Sequence, residues 1–245
     1  MPVNISALEK LSKAAVIHFW QSRNEAVKRQ KARGITDQGK RSDVTAGKNL
    51  DGFTKLTKQI IIDNGIEEIE VYTEGKISLT IPGFFRPTKN WDLLVVSQNR
   101  LLAAIEFKSQ VGPSFGNNFN NRVEEALGNA TDLNTAYREG VFGESSKPFV
   151  GYVFVLEACE KSLTPVKLSS PHFRTLKEFE QTSYAQRYEI FCRKLVQEGL
   201  YEAAALILTK KETMNTGEYK CLSELTSLKR FSATLAGKIS AMAVS

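Results

Sequence analysis

Histidine occurs only twice in 245 residues, at His18 and His172, and cysteine three times, at Cys159, Cys192 and Cys221. The cysteines are odd in number, lie far apart and form no C-x-x-C, so they read as reduced thiols outside any disulfide framework. With so few nitrogen and sulfur ligands, zinc sites, histidine-metal nuclease chemistry and a Ser-His-Asp triad have little to build on. His18 is expected on a helix and His172 in a loop after Pro171. Long apolar runs are missing too. The longest, Ala203-Ala204-Ala205-Leu206-Ile207-Leu208, falls far short of the ~20 residues of a membrane span, and residues 1–25 lack the apolar core of a signal peptide. A cytoplasmic protein without a membrane partner is expected. There is no internal repeat, no low-complexity segment and no composition break. A chain of this length can fold around its own core, so a single domain over 1–245 is expected.

What is present is charge, unevenly spread. The chain has 33 Lys+Arg and 27 Asp+Glu, a net of +6. Between Arg23 and Lys48 there are eight basic residues (Arg23, Lys28, Arg29, Lys31, Arg33, Lys40, Arg41 and Lys48) against Glu25, Asp37 and Asp43, a net of +5. The segment reads either as a solvated helix face running into a loop or as an arm that embraces a polyanion. Within it, Gly34-Ile35-Thr36-Asp37-Gln38-Gly39-Lys40-Arg41 nearly spells a phosphate-binding loop. Arg41, however, stands where a hydroxyl must meet the metal, and a basic helix precedes it instead of a strand, so no nucleotide cofactor is expected.

Ile5, Leu8, Leu11, Ala15 and Phe19 recur at helical spacing and predict a helix over 4–31, followed by a loop over 34–47 and a second helix over 50–63. Alternation predicts strands at 66–72, 77–81, 91–97 and 101–108. A helix is expected over 118–137, a buried strand over 149–156, and helices near 176–198, 200–210 and 224–243. The fold class is therefore α/β, with a central mixed β-sheet flanked by helices.

Three polar residues, Asp92, Glu106 and Lys108, interrupt otherwise apolar strands. If Gln98-Asn99-Arg100 forms a three-residue hairpin loop, Ser97 faces Leu101 and Asp92 faces Glu106, with Lys108 on the same face two residues on. Facing carboxylates repel and call for compensation. A Mg²⁺ ion held by Asp92 and Glu106 supplies it and suits phosphodiester hydrolysis, with Lys108 positioning the water and stabilising developing charge. The competing reading is a solvated strand end with an ordinary Glu–Lys pair.

Asp92, Glu106 and Lys108 in this strand context resemble the PD-(D/E)xK nucleases, with Trp91 where the motif's name has proline. The runs Phe85-Arg86-Pro87-Thr88-Lys89-Asn90-Trp91-Asp92, Gln110-Val111-Gly112-Pro113-Ser114-Phe115-Gly116-Asn117-Asn118-Phe119-Asn120-Asn121-Arg122, Glu124-Glu125-Ala126 and Gly128-Asn129-Ala130 narrow the resemblance to type II restriction endonucleases of the XhoI family. The resemblance spans the whole chain. It implies a restriction-endonuclease-like core and a Mg²⁺-dependent homodimer cutting both strands of the double-stranded palindrome CTCGAG. Other readings are a structure-specific repair nuclease or junction resolvase with the same site, and a DNA-binding module without catalysis.

Asn117, Asn118, Asn120, Asn121 and Arg122 are of the types that read adenine and guanine edges, and they sit near a helix start where amides receive phosphates. Asn118 or Asn120 could equally be a helix cap. Lys28, Arg29, Lys31, Arg33, Lys40 and Arg41 are the candidate backbone contacts. Glu70, Glu74 and Glu124 are candidate additional acids near the metal.

Overall fold

The computed structural model describes residues 4–32, 46–65, 69–143 and 146–242. The expected loop over 34–47, with Arg33, Lys40 and Arg41, lies almost wholly outside them. The helices α1 (Leu8–Ala32), α2 (Ala46–Asn49) and α3 (Asp51–Asn64) come first. Strand β1 (Glu70–Tyr72), a small hairpin of β2 (Thr80–Pro82) and β3 (Thr88–Asn90), and strands β4 (Leu93–Ser97) and β5 (Arg100–Gln110) follow. The remainder is α4 (Phe115–Arg138), β6 (Phe149–Glu157), α5 (Glu160–Leu163), α6 (Tyr184–Gln197), β7 (Ala203–Thr209), β8 (Tyr219–Lys220) and α7 (Leu228–Met242).

Six strands form one mixed sheet in the order β1-β4-β5-β6-β7-β8. The β5–β6 and β6–β7 pairs are parallel and the others antiparallel. Parallel neighbours need long crossovers, which α4 and α6 supply. One sheet face packs Leu93, Val95, Ile105, Val153 and Ile207 against apolar residues of α1, α3 and α7, such as Phe19, Ile61 and Phe231. The other packs Leu94, Ala104, Phe154 and Leu206 against Ala130 and Leu133 of α4 and Tyr188 and Leu195 of α6. This helix–sheet–helix arrangement is consistent with a restriction-endonuclease-like α/β fold.

Several boundaries move from the sequence expectation, and one element changes type. Residues 203–209 are a strand, not a helix. Every residue of β7 is buried because helices cover both faces of the sheet there, and a continuous apolar run has no period to tell strand from helix. The expected 176–198 helix starts only at Tyr184, where Ser183 and Gln186 make a reciprocal capping box; a single 3-10 turn, Lys177–Phe179, precedes it. The last helix starts at Leu228, and the 77–81 strand shrinks to Thr80–Pro82.

The hairpin that carries the candidate residues differs in two compensating ways. Gln98 and Asn99, both at positive φ, form a two-residue turn, and Ser97 pairs with Arg100 instead of Leu101. Paired positive-φ residues are the signature of the primed turns that match strand twist, without the Asn-Gly pair that announces them. A bulge between Val95 and Val96 leaves Leu102 without a partner and shifts the register back, so that Leu93 pairs with Ile105. One step further, Asp92 stands opposite Glu106, as expected.

Where β6 runs beneath α7, a Cβ on Gly151 would lie 2.7 Å from the Phe149 ring, 3.0 Å from Phe231 and 3.1 Å from Ile105. Overpacking of this kind costs about 1–3 kcal/mol. Gly151→Val is expected to lower the unfolding free energy by that amount, seen as a lower urea midpoint at unchanged m-value. A change within about 0.5 kcal/mol would show that the sheet absorbs the side chain.

Candidate active site

Asp92 precedes β4 by one residue, and Glu106 and Lys108 lie near the C-terminal end of β5, on the sheet face covered by α4. Asp92 Oδ2 accepts the Phe107 N–H at 2.8 Å, which ties the two strands together at this point. Glu106, 2% exposed, has Lys108 Nζ at 2.7 Å and Lys89 Nζ at 3.7 Å from Oε1, while Oε2 accepts from Asn129 Nδ2 at 2.6 Å. Lys89 comes from β3 and lies over the Trp91 ring at 4.9 Å.

The two carboxylates are tuned apart. Burial pushes the Asp92 carboxyl above its ordinary value, against the opposing pull of Lys108 and the Phe107 amide. Burial acts on Glu106 in the same sense, but Lys108 and Lys89, with hydrogen bonds from Lys108 and Asn129, outweigh it and hold Glu106 below the ordinary value. Burial lowers Lys89, whereas in Lys108 it is overcome by Glu106 and Asp92, and the ammonium is raised.

Asp92 and Lys108 open into a cavity of about 500 Å³. Arg23 of α1, Asn118 and Arg122 of α4, and Leu50, Asp51 and Thr54 at the start of α3 complete much of its wall. Helix α3 thus meets the cavity with its N-terminal turn, where free amides and the helix dipole favour anions, and α4 sends Asn118 and Arg122 to it. Glu106 lies behind Lys108 and is not part of the wall. The donor set suits a hard divalent cation: carboxylate oxygens from Asp92 and Glu106. Among the described residues no group of three or more His, Cys, Asp and Glu side chains is close enough to hold a metal. Two carboxylates plus water and phosphate oxygens is the arrangement typical of Mg²⁺.

The asparagine segment is corrected. Helix α4 begins at Phe115, with Ser114 at its N-cap position, so Asn117, Asn118, Asn120, Asn121 and Arg122 lie inside its first two turns and neither Asn118 nor Asn120 is the cap. Helical spacing sends Asn118 and Arg122, four residues apart, to the cavity. Asn117 instead lines a separate groove with Lys161 and Tyr184, and Asn120, Asn121 and Glu124 are exposed. Glu70 lies in β1 opposite Val96, towards the far end of the hairpin, where its carboxylate accepts from the Tyr72 hydroxyl. Neither Glu70 nor Glu74 lines the cavity; the further acid that does is Asp51, raised by burial. Of the basic segment, Lys28 and Arg29 are exposed on α1, with Arg29 paired to Glu25 at 3.3 Å; Lys31 lies in the same helix.

Lys89, Asn129 and Asp51 were not singled out from the sequence. Asn129 carried a readable signal: it falls on the buried stripe of α4 between Ala126 and Leu133, where a polar residue needs a partner. No helix of the described residues is long and apolar enough to cross a membrane.

The family model described as "Restriction endonuclease XhoI" matches residues 29–221. The type II restriction enzyme XhoI of Xanthomonas vasicola is 46% identical over 199 residues, covering 81% of this chain and 79% of that protein. The type II restriction enzyme BstVI of Geobacillus stearothermophilus is 49% identical over 189 residues, 75% of this chain and 84% of the relative. The type II restriction enzyme AbrI of Azospirillum brasilense is 49% identical over 174 residues, 71% and 78% of the two chains. No solved structure matches the chain significantly. With most of its length matched in this way, and with paired carboxylates and a lysine at the end of its central hairpin, the chain belongs to the XhoI family of type II restriction endonucleases.

Proposed function

We propose that this protein is a Mg²⁺-dependent endonuclease that hydrolyses both strands of double-stranded DNA at a specific palindrome, acting as a homodimer. The observation that carries the reading is the hairpin register. Asp92 stands opposite Glu106, and Lys108 enters the same cavity as Arg23, Asn118, Arg122 and the first turn of α3. The family resemblance implies CTCGAG as the target. A two-fold symmetric sequence is matched most simply by two identical active sites related by a two-fold axis.

In this reading Asp92 and Glu106 hold the ion, which supplies Lewis-acid polarisation of the scissile phosphate and a bound water of lowered pKa. Lys108, held close to Glu106, orients the attacking water and stabilises charge that develops on the phosphate oxygens. The water oxygen forms the new P–O bond and gives up a proton, the bond to the leaving deoxyribose oxygen breaks, and that oxygen takes up a proton in balance. Arg23, Arg122 and the helix amides position the strand by its phosphates. Exposed Lys28 and Arg29 extend the basic surface along α1.

Incubation with plasmid DNA and Mg²⁺ is expected to yield discrete, reproducible fragments; a smear, or cleavage confined to branched DNA, would point to a repair nuclease or resolvase instead. Asp92→Ala is expected to slow cleavage by about a thousandfold or more while the variant still binds DNA. Undiminished cleavage in Asp92→Ala would overturn the assignment of the site. Replacing Lys28 and Arg29 by alanine together is expected to weaken binding to all sequences alike and to reduce the slope of log affinity against log salt by about one to two units. Unchanged affinity at low salt would make this helix end a solvated face.

A further inference from the structure

Glu106 ends a chain of hydrogen bonds that begins 26 residues away in sequence, at Asp132. Asp132 Oδ1 accepts the backbone N–H groups of Phe84 and Phe85 at 2.9 and 2.8 Å, and its Oδ2 accepts from Arg86 Nε at 2.7 Å. Arg86 Nη2 donates to Asn129 Oδ1 at 2.8 Å, and Asn129 Nδ2 donates to Glu106 Oε2 at 2.6 Å. The chain is held tightly at its start: a Cβ on Gly83 would lie 2.4 Å from Asp132 Oδ2 and 2.9 Å from the Arg86 carbonyl oxygen.

The chemistry of the links gives the chain a direction. A guanidinium has five donors and no acceptor, so the Asn129 carbonyl oxygen must face Arg86 and its NH₂ must face Glu106. The opposite orientation would set donor against donor at one end and acceptor against carboxylate at the other, both in a buried place. Asn129 and Asp132, three residues apart on α4, share the side turned to the β2–β3 loop, so both anchors sit on one rigid element. Asn129 adds no charge to a carboxylate already faced by Lys108 and Lys89. What it adds is orientation: it occupies Oε2, while Oε1 faces Lys108.

We propose that Asn129, fixed by Arg86 and Asp132, is the positioning residue that sets the orientation of the Glu106 carboxylate for metal binding; this rests on Glu106 being a metal ligand. Partners of this kind commonly alter metal affinity or activity by about 10–100-fold when removed. Links acting in series also predict non-additivity: once Asn129 is gone, Arg86 has nothing left to orient.

The test uses the full chain, a plasmid carrying CTCGAG, and Ca²⁺ titrated calorimetrically into the protein bound to a CTCGAG duplex. Asn129→Ala and Arg86→Lys are expected to lower kcat by about 10–100-fold with little change in KM, and to weaken Ca²⁺ binding by a similar factor. The double variant is expected to be no worse than Asn129→Ala alone. Unchanged kcat and Ca²⁺ affinity in Asn129→Ala would overturn the proposal, as would additive losses in the double variant. Should Asn129→Ala not fold, Arg86→Lys alone carries the test, since the Arg86 side chain is 39% exposed. Glu106→Gln, run in parallel, separates the two levels. If it still cleaves and binds Ca²⁺, the reading of the metal site fails; if it does neither while Asn129→Ala is normal, only the positioning role fails.

Discussion

Two carboxylates facing one another across adjacent strands repel, and burial strengthens that repulsion because water no longer screens it. Much of what surrounds Asp92 and Glu106 follows from this constraint. Lys108 and Lys89 sit on one oxygen of Glu106, and Asn129 on the other, so Glu106 is the acid held below its ordinary pKa. Asp92 has the Phe107 amide and shares Lys108, which is too little to offset its burial, and its carboxyl is raised. A pair tuned apart in this way can coexist before a cation arrives.

The architecture separates support from chemistry by sheet face. The side covered by α1, α3 and α7 is a continuous apolar cluster from Leu8 to Met242. The side covered by α4 carries the polar chain from Asp132 to Glu106 within a second apolar cluster. Helix α4 therefore does two things along its length. Its first two turns bring Asn118 and Arg122 to the cavity, and its fourth and fifth bring Asn129 and Asp132 beneath Arg86. A single rigid helix thus links the surface proposed to meet DNA with the group proposed to orient the metal ligand.

How far this was legible in the sequence depended on whether local pattern and tertiary context agree. The pairing of Asp92 with Glu106 could be read because side-chain alternation is a property of any strand, yet the count succeeded only because two departures cancelled. The turn was one residue shorter than expected, and the bulge at Leu102 restored the register. Strand β7 was read as a helix because Ala203, Ala204 and Ala205 are strong helix formers, and burial on both faces removed the alternation that would have corrected the reading. The sequence puts the helix start at 118, close enough for Asn118 or Asn120 to cap it, whereas the helix begins at Phe115, two residues before the first asparagine. Lys89, Asp51 and Asn129 reach the site or its cavity through packing of β3, α3 and α4 onto the hairpin, and no spacing within one element encodes such a meeting.

The cavity combines features that would conflict if either partner came alone. Arg23, Lys108, Arg122 and the N-terminus of α3 favour a polyanion, whereas Asp51 and Asp92 in the same wall oppose one. A phosphate group arriving without a cation would face Asp92 with Glu106 behind it. A cation arriving without phosphate would face the ammonium of Lys108 and find only two carboxylates among its ligands. In the proposed reading each partner removes the other's penalty, so metal and DNA bind more tightly together than apart, and by linkage each raises the other's affinity by the same factor. Most of the chain's net charge lies between residues 23 and 48, and of that segment Arg23 reaches the cavity wall that also holds Asp92, so in the proposed reading attraction for the nucleic acid and for the cation meet in one place.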